Sequence, residues 1–327
     1  MNQTYFIAWW NVENLFDVFS STTRPSWLQT TLNNELTGWD STVLSQKISQ
    51  LSQIIMKMNN ENGPDILGLC EIENIEVLDM LRVALYPLNR KYAIAHVDME
   101  DARGIDIAFI YDKTIFNYEE QFNYVVRKRT ATRDIFQVNF KTNSGKDLIF
   151  VGNHWPAKTG GSLESEPYRI IAAETLSYWI ERILEIKGNN TGIVVMGDFN
   201  DEPYSRAICD YALGTHLEMK VRNSFSPRLY NLMWEIMASG AGTYYYDNFA
   251  NVVDQFLVSK AIVNSNSGFK LAVDSNGKAV VNIEMFSEMI SGGDYPDPIK
   301  FGRPSSQLNL NGYSDHYPIS MLLEEII

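Results

Sequence analysis

Apolar positions recur along the chain in two periods, and the switches between those periods outline the secondary structure. The run Tyr5-Phe6-Ile7-Ala8-Trp9 is short and apolar, as in a buried strand. From Ser41, the residues Leu44, Ile48, Leu51, Ile54, Ile55 and Met58 recur at threes and fours, which predicts an amphipathic helix ending near Gly63-Pro64. A strand follows at once at 65–71, closed by an acid, and 76–85 reads as a second helix. Strands are predicted at 92–97, 105–111, 135–140 and 148–153. Ser165-Glu166-Pro167 places a capping residue and an early proline ahead of Ile170, Ala173, Leu176, Ile180, Ile183 and Leu184, so a long helix is expected, closed by Gly188. Strands at 193–197, 252–258, 269–273, 280–283 and 319–323 complete the pattern. Residues 18–40, rich in Ser, Thr, Asn and Trp without helical period, read as a long surface loop.

No repeat and no Pro-, Gly- or Ser-rich linker divides the chain, so a single mixed α/β domain spanning 1–327 is the simplest organisation. With 327 residues and 45% hydrophobic composition it can bury a sizeable core. No apolar run approaches the roughly 20 residues that span a bilayer, so no stable membrane insertion is expected. No signal peptide is visible; a cytoplasmic location is expected if Met1 is the native start, a secreted or periplasmic one if a leader was removed. Cys70, within an apolar run, suits a buried free thiol rather than a disulfide with Cys209. The formal net charge of -13 argues against tight non-specific binding of duplex DNA and favours small or locally presented phosphates.

Five apolar runs stop at, or pass through, polar clusters that the hydrophobic pattern does not require. They are Asn11-Val12-Glu13-Asn14, Glu71-Ile72-Glu73-Asn74, Asn153-His154-Trp155, Asp198-Phe199-Asn200-Asp201 and Ser314-Asp315-His316. Each has an ordinary alternative: Asn11 and Asn14 can end a strand, Glu71 can start a helix, Gly-Asp-Phe-Asn-Asp can be a plain turn, and a lone His154 can be a satisfied histidine. Together, at converging strand ends, they supply what phosphate-ester hydrolysis needs. Magnesium takes few protein carboxylates, so Glu71 and Asp315 suffice. Strand period puts Asp198 and Asn200 on one face, one to align water and the other to donate to phosphate. His316 stands beside Asp315, and a carboxylate such as Asp254 can hold its imidazolium form.

These clusters, in order with Arg103-Gly104-Ile105-Asp106, Asn153-His154-Trp155-Pro156 and Val253-Asp254-Gln255, resemble the endonuclease/exonuclease/phosphatase superfamily, and specifically a bacterial, metal-dependent endonuclease-like branch, from about residue 7 to 320. The resemblance implies a four-layer sandwich of two mixed β-sheets face to face, flanked by helices. It implies Mg²⁺ or Mn²⁺ held by Glu71 with Asn11 and Asp315 nearby, and Asp198 orienting or deprotonating the attacking water. It further implies phosphate contacts from Asn200 and Asn11, contact with a non-bridging oxygen or proton transfer by His316, donation to phosphate or leaving group by His154, and support of a histidine by Asp254. Arg103 is a further phosphate contact or, alternatively, a salt-bridge partner of Asp106. The Tyr or Asp that DNA-repair members carry after the second strand set has no counterpart here, while His154-Trp155 matches the branches that keep a histidine there.

The expected function is therefore a phosphodiesterase or nuclease, with a phosphate ester, including single-stranded nucleic acid or a nucleotide, as substrate. The alternatives are a phosphomonoesterase acting on a small-molecule or lipid-headgroup phosphate, and a catalytically silent binding module. The Lys158-Thr159-Gly160-Gly161 loop offers an ammonium and backbone donors, or is a flexible turn. Trp155, Tyr244, Tyr245 and Tyr246 can stack a base or pack a sugar, or belong to the core or a sheet edge.

Overall fold

A computed structural model of the chain describes residues 3–326. In chain order it comprises β1 (Gln3–Leu15), α1 (Ser26–Leu32), α2 (Ser41–Glu61), β2 (Ile66–Ile72), α3 (Ile75–Ala84), β3 (Tyr92–His96), β4 (Asp106–Asp112), β5 (Phe116–Tyr124), β6 (Ile135–Thr142) and β7 (Asp147–His154). There follow α4 (Ser162–Lys187), β8 (Gly192–Asp198), β9 (Gly214–Thr215), α5 (Glu218–Arg222), β10 (Leu229–Asn231), α6 (Trp234–Ala238), β11 (Tyr244–Tyr246), β12 (Phe249–Asn251), β13 (Asp254–Ser259), α7 (Lys260–Val263), β14 (Phe269–Leu271), β15 (Val281–Ile283) and β16 (Ile319–Glu325). One sheet has the order β14-β16-β1-β2-β4-β3, with β15 also pairing β16; the other runs β5-β6-β7-β8-β13-β10-β9. Both are mixed, with β1–β2 and β7–β8 parallel among antiparallel neighbours.

Strand period sorts the side chains into layers. In β1, Ile7 and Trp9 enter the apolar core between the sheets, whereas Ala8, Trp10 and Val12 pack outward beneath α2 and α3. In the second sheet Phe150, Val194, Met196, Phe256 and Val258 point to the shared core, and Ile149, Val151, Ile193 and Val195 pack under α4. The result is the expected α/β sandwich of two face-to-face mixed sheets flanked by helices. Helix α2 is capped by Asp40, whose carboxylate accepts from the N–H groups of Thr42 and Val43, and its regular part stops at Met58, before three left-handed residues.

Three local expectations change. Residues 18–40 are not wholly loop: α1 buries Leu28 and Leu32, and with Leu36 and Trp39 they form a small cluster on Phe16, Ile105 and Phe301. Helix α4 begins at Ser162 rather than after Ser165, and the Ser165 hydroxyl donates to the Gly161 carbonyl while accepting from Arg169. Strand β5 lies at a sheet edge with most of its residues exposed, so it carries no continuous apolar run to announce it.

The sheets meet closely where side chains are missing. A Cβ on Gly152 of β7 would lie 2.7 Å from Ile107 and 3.2 Å from Phe109 of the opposite sheet. The Gly152→Val protein is expected to lose about 1–3 kcal/mol by overpacking, read as a lower urea midpoint. Gly292→Ala, where a Cβ meets nothing within 4 Å, is expected to stay within about 0.5 kcal/mol of wild type.

Candidate active site

Strand direction brings the polar residues together. β1 and β2 are parallel and β16 is antiparallel to β1, so the ends bearing Asn11 and Glu71 share a rim with the segment entering β16. In the facing sheet β7 and β8 are parallel and β13 is antiparallel to β8, which sets His154, Asp198 and Asp254 side by side in register. Parity supplies their direction. His154 continues the inward row Phe150–Gly152, Asp198 continues Val194–Met196, and Asp254 continues Val258–Phe256, so the apolar core turns polar at its rim without a change of face.

Glu71 is out of phase with its strand and needs a backbone device. The register of β1 against β2 shifts between Asn11 and Leu15, and Glu13, Asn14 and Glu71 adopt φ of 51°, 58° and 65°. This bulge turns Glu71 to the rim, where Oε2 accepts the Asn14 N–H at 2.9 Å. Left-handed conformations cost a non-glycine residue about 1–3 kcal/mol each. Asn200, with φ of 49°, belongs to the same group; its N–H donates to Asp198 Oδ1 at 2.8 Å and its amide to the Trp155 carbonyl at 2.9 Å.

The two histidines differ in charge. His316 Nδ1 is 2.7 Å from Asp254 Oδ2, and its Nε2 is 3.9 Å from both Asp198 Oδ2 and Asp315 Oδ1. Burial disfavours the imidazolium, but the Asp254 and Asp198 carboxylates outweigh it and hold the pKa well above the usual range. Asp254 is fixed in turn by the Trp9 indole N–H at 3.2 Å, a bond that crosses from one sheet to the other. His154 is the opposite case: burial, then the charges of Arg133, Arg103 and His316, push its pKa well below the usual value. Its Nδ1 has no hydrogen-bond partner, while Nε2 lies 3.6 Å from Asp198 Oδ2 and 3.8 Å from Glu71 Oε1. The proton of the neutral ring therefore belongs on Nε2, facing the carboxylates.

Among the acids, burial raises the Asp198 pKa to about 6, with His316 opposing. Its Oδ2 accepts from Asn11 Nδ2 at 3.0 Å. Burial opposes ionisation of Glu71, yet Arg103, His316 and Arg133 hold its pKa below the usual value. Burial raises Asp315, and the neighbouring Glu71 charge adds to that. Asp315 makes no hydrogen bond among the described residues, and Glu71 Oε1 has Arg103 Nη2 at 3.6 Å. Free carboxylate oxygens on two mutually repelling acids, beside the Asn11 amide oxygen, form a donor set suited to a hard divalent cation. The ligand atoms of Asp198, Asp254 and His316 also lie within 4.8 Å of one another, but the Asp254 oxygens already serve His316 and Trp9.

All the expected residues except Asp254, which stands behind His316, line one cavity of about 740 Å³. Arg103 pairs with Glu71 and not with Asp106, whose carboxylate is taken by His96 at 3.0 Å. Trp155 is buried, its indole N–H on Asn153 Oδ1 and its ring against Phe199, so it is a core residue. Lys158 reaches the cavity wall and lies 3.6 Å from Asp201 Oδ1. Cys70 and Cys209 are free thiols.

Three groups were missed. Arg133, buried with Nη2 on the Trp155 carbonyl at 2.9 Å, sits two residues before β6, whereas Asn11, Glu71, His154 and Asp198 lie toward the far ends of their strands. Lys47 lies on the apolar face of α2, donates to the Tyr313 carbonyl at 2.6 Å and sits 4.8 Å over the Phe301 ring; burial lowers its pKa to about 8. Glu13 accepts the N–H groups of Phe301 and Gly302, and burial raises its pKa to about 7. Lys47 and Glu13 together clamp the 299–315 segment that carries Asp315. A lysine in a helical row of Leu and Ile was the visible signal.

The profile described as Endonuclease/Exonuclease/phosphatase family matches residues 6–325. A comparison with curated proteins finds no match. Similar solved structures include an endonuclease/exonuclease/phosphatase family protein from Bacteroides thetaiotaomicron, 15% identical with TM-score 0.58, covering 100% of each chain. A mannosyl-6-phosphatase of Bacteroides thetaiotaomicron is 16% identical with TM-score 0.55 over 99% of each chain. TDP2 of D. rerio, complexed with single strand DNA product, is 11% identical with TM-score 0.56 over 98% of this chain and 99% of that one.

The charge on His316 is testable by NMR on metal-free protein. Its raised pKa contributes stability that is complete below about pH 6.5 and is lost as pH rises through the folded-state value. In Asp254→Asn the His316 Cε1–H titration is expected to move down by about one unit or more. An unshifted titration would remove Asp254 as the supporting charge.

Proposed function

Because the chain belongs to the endonuclease/exonuclease/phosphatase family, we propose that it is a divalent-metal-dependent phosphoesterase that cleaves a P–O bond by in-line attack of water. One observation carries this reading: the Nε2 atoms of His154 and His316 face the same carboxylate oxygen, Asp198 Oδ2, at 3.6 and 3.9 Å, beside the carboxylates of Glu71 and Asp315. A structural ion pair needs one charged histidine; a proton-handling site needs donor and acceptor poised together.

Glu71, Asp315 and Asn11 would hold Mg²⁺ or Mn²⁺, which when bound supplies Lewis-acid neutralisation of charge developing on the phosphoryl oxygens. Asp198, with a pKa of about 6, is mostly ionised at neutral pH and aligns the attacking water or accepts its proton. Its two oxygens are held by the Asn200 N–H and the Asn11 amide, so its direction is set before substrate arrives. His316 presents a charged Nε2–H to a non-bridging oxygen while Asp254 holds the imidazolium. His154, neutral with its proton on Nε2, donates to phosphate or to the leaving oxygen. Arg103 and Asn200 contribute further phosphate contacts. The unit that functions is the whole of 1–327, since both sheets draw strands from the two halves of the chain.

For substrate, the first reading is a phosphodiester, including single-stranded nucleic acid, because the net charge of -13 disfavours duplex. A second reading, a monoesterase for a small-molecule or lipid-headgroup phosphate, is favoured by Arg103 and Lys158, which both line the cavity, two cations for one dianion. No helix among the described residues is long and apolar enough to cross a membrane. The third alternative, a silent binding module, is disfavoured by the clustered acids beside two histidines, which binding alone does not require.

Glu71→Gln, Asp198→Asn and His316→Ala are each expected to lower kcat by about two to four orders of magnitude with the fold retained by circular dichroism. Turnover near wild type in any of them would reject the role given to that residue. Chelation is expected to abolish activity and Mg²⁺ or Mn²⁺ to restore it. A panel of bis-aryl phosphate, aryl phosphate, single-stranded DNA and phospholipids, assayed side by side, separates diester from monoester chemistry.

A further inference from the structure

Lys47 occupies a position that the pattern of its helix reserves for an apolar side chain. On α2 the residues Leu44, Lys47, Ile48 and Leu51 share one face at spacings of three and four, and Lys47 is fully buried among them. It makes no ion pair within 4 Å among the described residues. Its ammonium donates to one neutral carbonyl, that of Tyr313 at 2.6 Å, and rests 4.8 Å from the centre of the Phe301 ring. Burial disfavours the charged form, and the carboxylates of Glu13, Asp315 and Glu71 oppose that. A methionine or leucine would fill the same space at lower cost, so the charge calls for a reason beyond packing.

The carbonyl it holds belongs to a strap with two arms, residues 299–302 and 309–313. The Tyr313 N–H donates to the Ile299 carbonyl and the Asn309 N–H to the Phe301 carbonyl, each at 2.7 Å. Gly312 lets the arms touch, since a Cβ there would lie 1.9 Å from the Lys300 carbonyl oxygen. Glu13 of β1 accepts the Phe301 and Gly302 N–H groups at 2.8 and 3.2 Å, so it grips the first arm while Lys47 grips the second. Beyond the strap, the Ser314 hydroxyl donates to the Asn11 carbonyl at 2.7 Å, and the His316 carbonyl accepts the Trp10 indole N–H at 2.9 Å. Asp315 stands between these anchors with no hydrogen bond on its carboxylate among the described residues, so the backbone sets where it stands.

From this arrangement we infer that Lys47 is a positioning residue for divalent-cation binding, which fixes the Asp315 carboxylate relative to Glu71 through the Tyr313 carbonyl. The inference rests on the metal-dependent reading above and adds to it a residue that sets affinity from outside the cavity. A small hard cation accepts little error in the placement of its ligands. Asp315 lies only two residues from the bonded carbonyl, and groups that orient metal ligands from behind typically change affinity by about 10–100-fold. A role as mere counter-charge predicts the opposite sign, because removing a positive charge near Glu71 and Asp315 would by itself tighten a dication.

The test is Mn²⁺ titration of the purified protein, read as free Mn²⁺ by electron paramagnetic resonance, with amide exchange of the metal-free protein beside it. Lys47→Met is expected to weaken Mn²⁺ binding by about tenfold or more. It is also expected to speed exchange of the Phe301, Gly302 and Tyr313 amides while those of β2 keep wild-type protection. Gly312→Ala, which keeps every charge and displaces the same strap, is expected to do likewise, and it decides the question if Lys47→Met does not fold. Lys113→Met, the same charge change at an exposed position just after β4, is expected to bind Mn²⁺ as wild type does. Loss of global stability alone would leave the affinity of the folded fraction unchanged. Unchanged or tighter Mn²⁺ binding in Lys47→Met, or unchanged binding in Gly312→Ala, overturns the positioning role and leaves the metal-dependent reading standing. A wild type that binds no Mn²⁺, or binds it no better than Glu71→Gln/Asp315→Asn, would sink that reading itself.

Discussion

The rim depends on the charge of one imidazole. Glu71, Asp198, Asp254 and Asp315 converge at the edge of two sheets, where burial opposes the charge on Glu71, Asp198 and Asp315, and neighbouring carboxylates add to that opposition at Asp198 and Asp315. His316, held in its charged form by Asp254 at 2.7 Å, faces Asp198 and Asp315 with its other nitrogen. It thereby offsets repulsion for three carboxylates at once, while Arg103 and Arg133 serve Glu71 from the opposite side. Burial, helped by the same positive charges, lowers the pKa of His154, so neighbouring rings of one site favour different forms. Electrostatics of this kind require a rigid frame, because at these separations a shift of one ångström changes every interaction.

The frame comes from the backbone as much as from packing. Rows of inward-facing apolar residues end in Asn11, His154, Asp198 and Asp254 without breaking step, so these four are delivered by strand period alone. Glu71 and Asn200 are delivered by left-handed backbone, Glu71 at a bulge within β2 and Asn200 just past the end of β8. Behind them, Lys47 and Glu13 tie the segment carrying Asp315 to α2 and β1 through backbone carbonyl and N–H groups.

Most of the sandwich could be read from the sequence because buried strands and amphipathic helices impose periods of two and of three to four. Strand β5 escaped because an edge strand with an exposed surface imposes no such period, and α1 because its few apolar residues sit among Ser, Thr and Asn. The rim residues were legible as polar groups at strand ends. Their pairings were not: that Arg103 serves Glu71 while Asp106 takes His96 is decided by loop conformation, and the bulge that turns Glu71 inward leaves no mark in residue type. Trp155 and Tyr246 show the same limit from the other side, since adjacent motifs offered two aromatic residues of equal promise and only tertiary packing buried one and exposed the other.

The close seating of the sheets at Gly152, with Ile107 and Phe109 lodged where a side chain would otherwise stand, bears on how the halves of the site stay aligned. Each sheet supplies only part of the constellation, and the packed core between them fixes their relative position. A notch receiving a ring works as a detent against slippage. Alignment of the chemistry would then be inherited from an uncharged contact one inward position below His154 on the same strand.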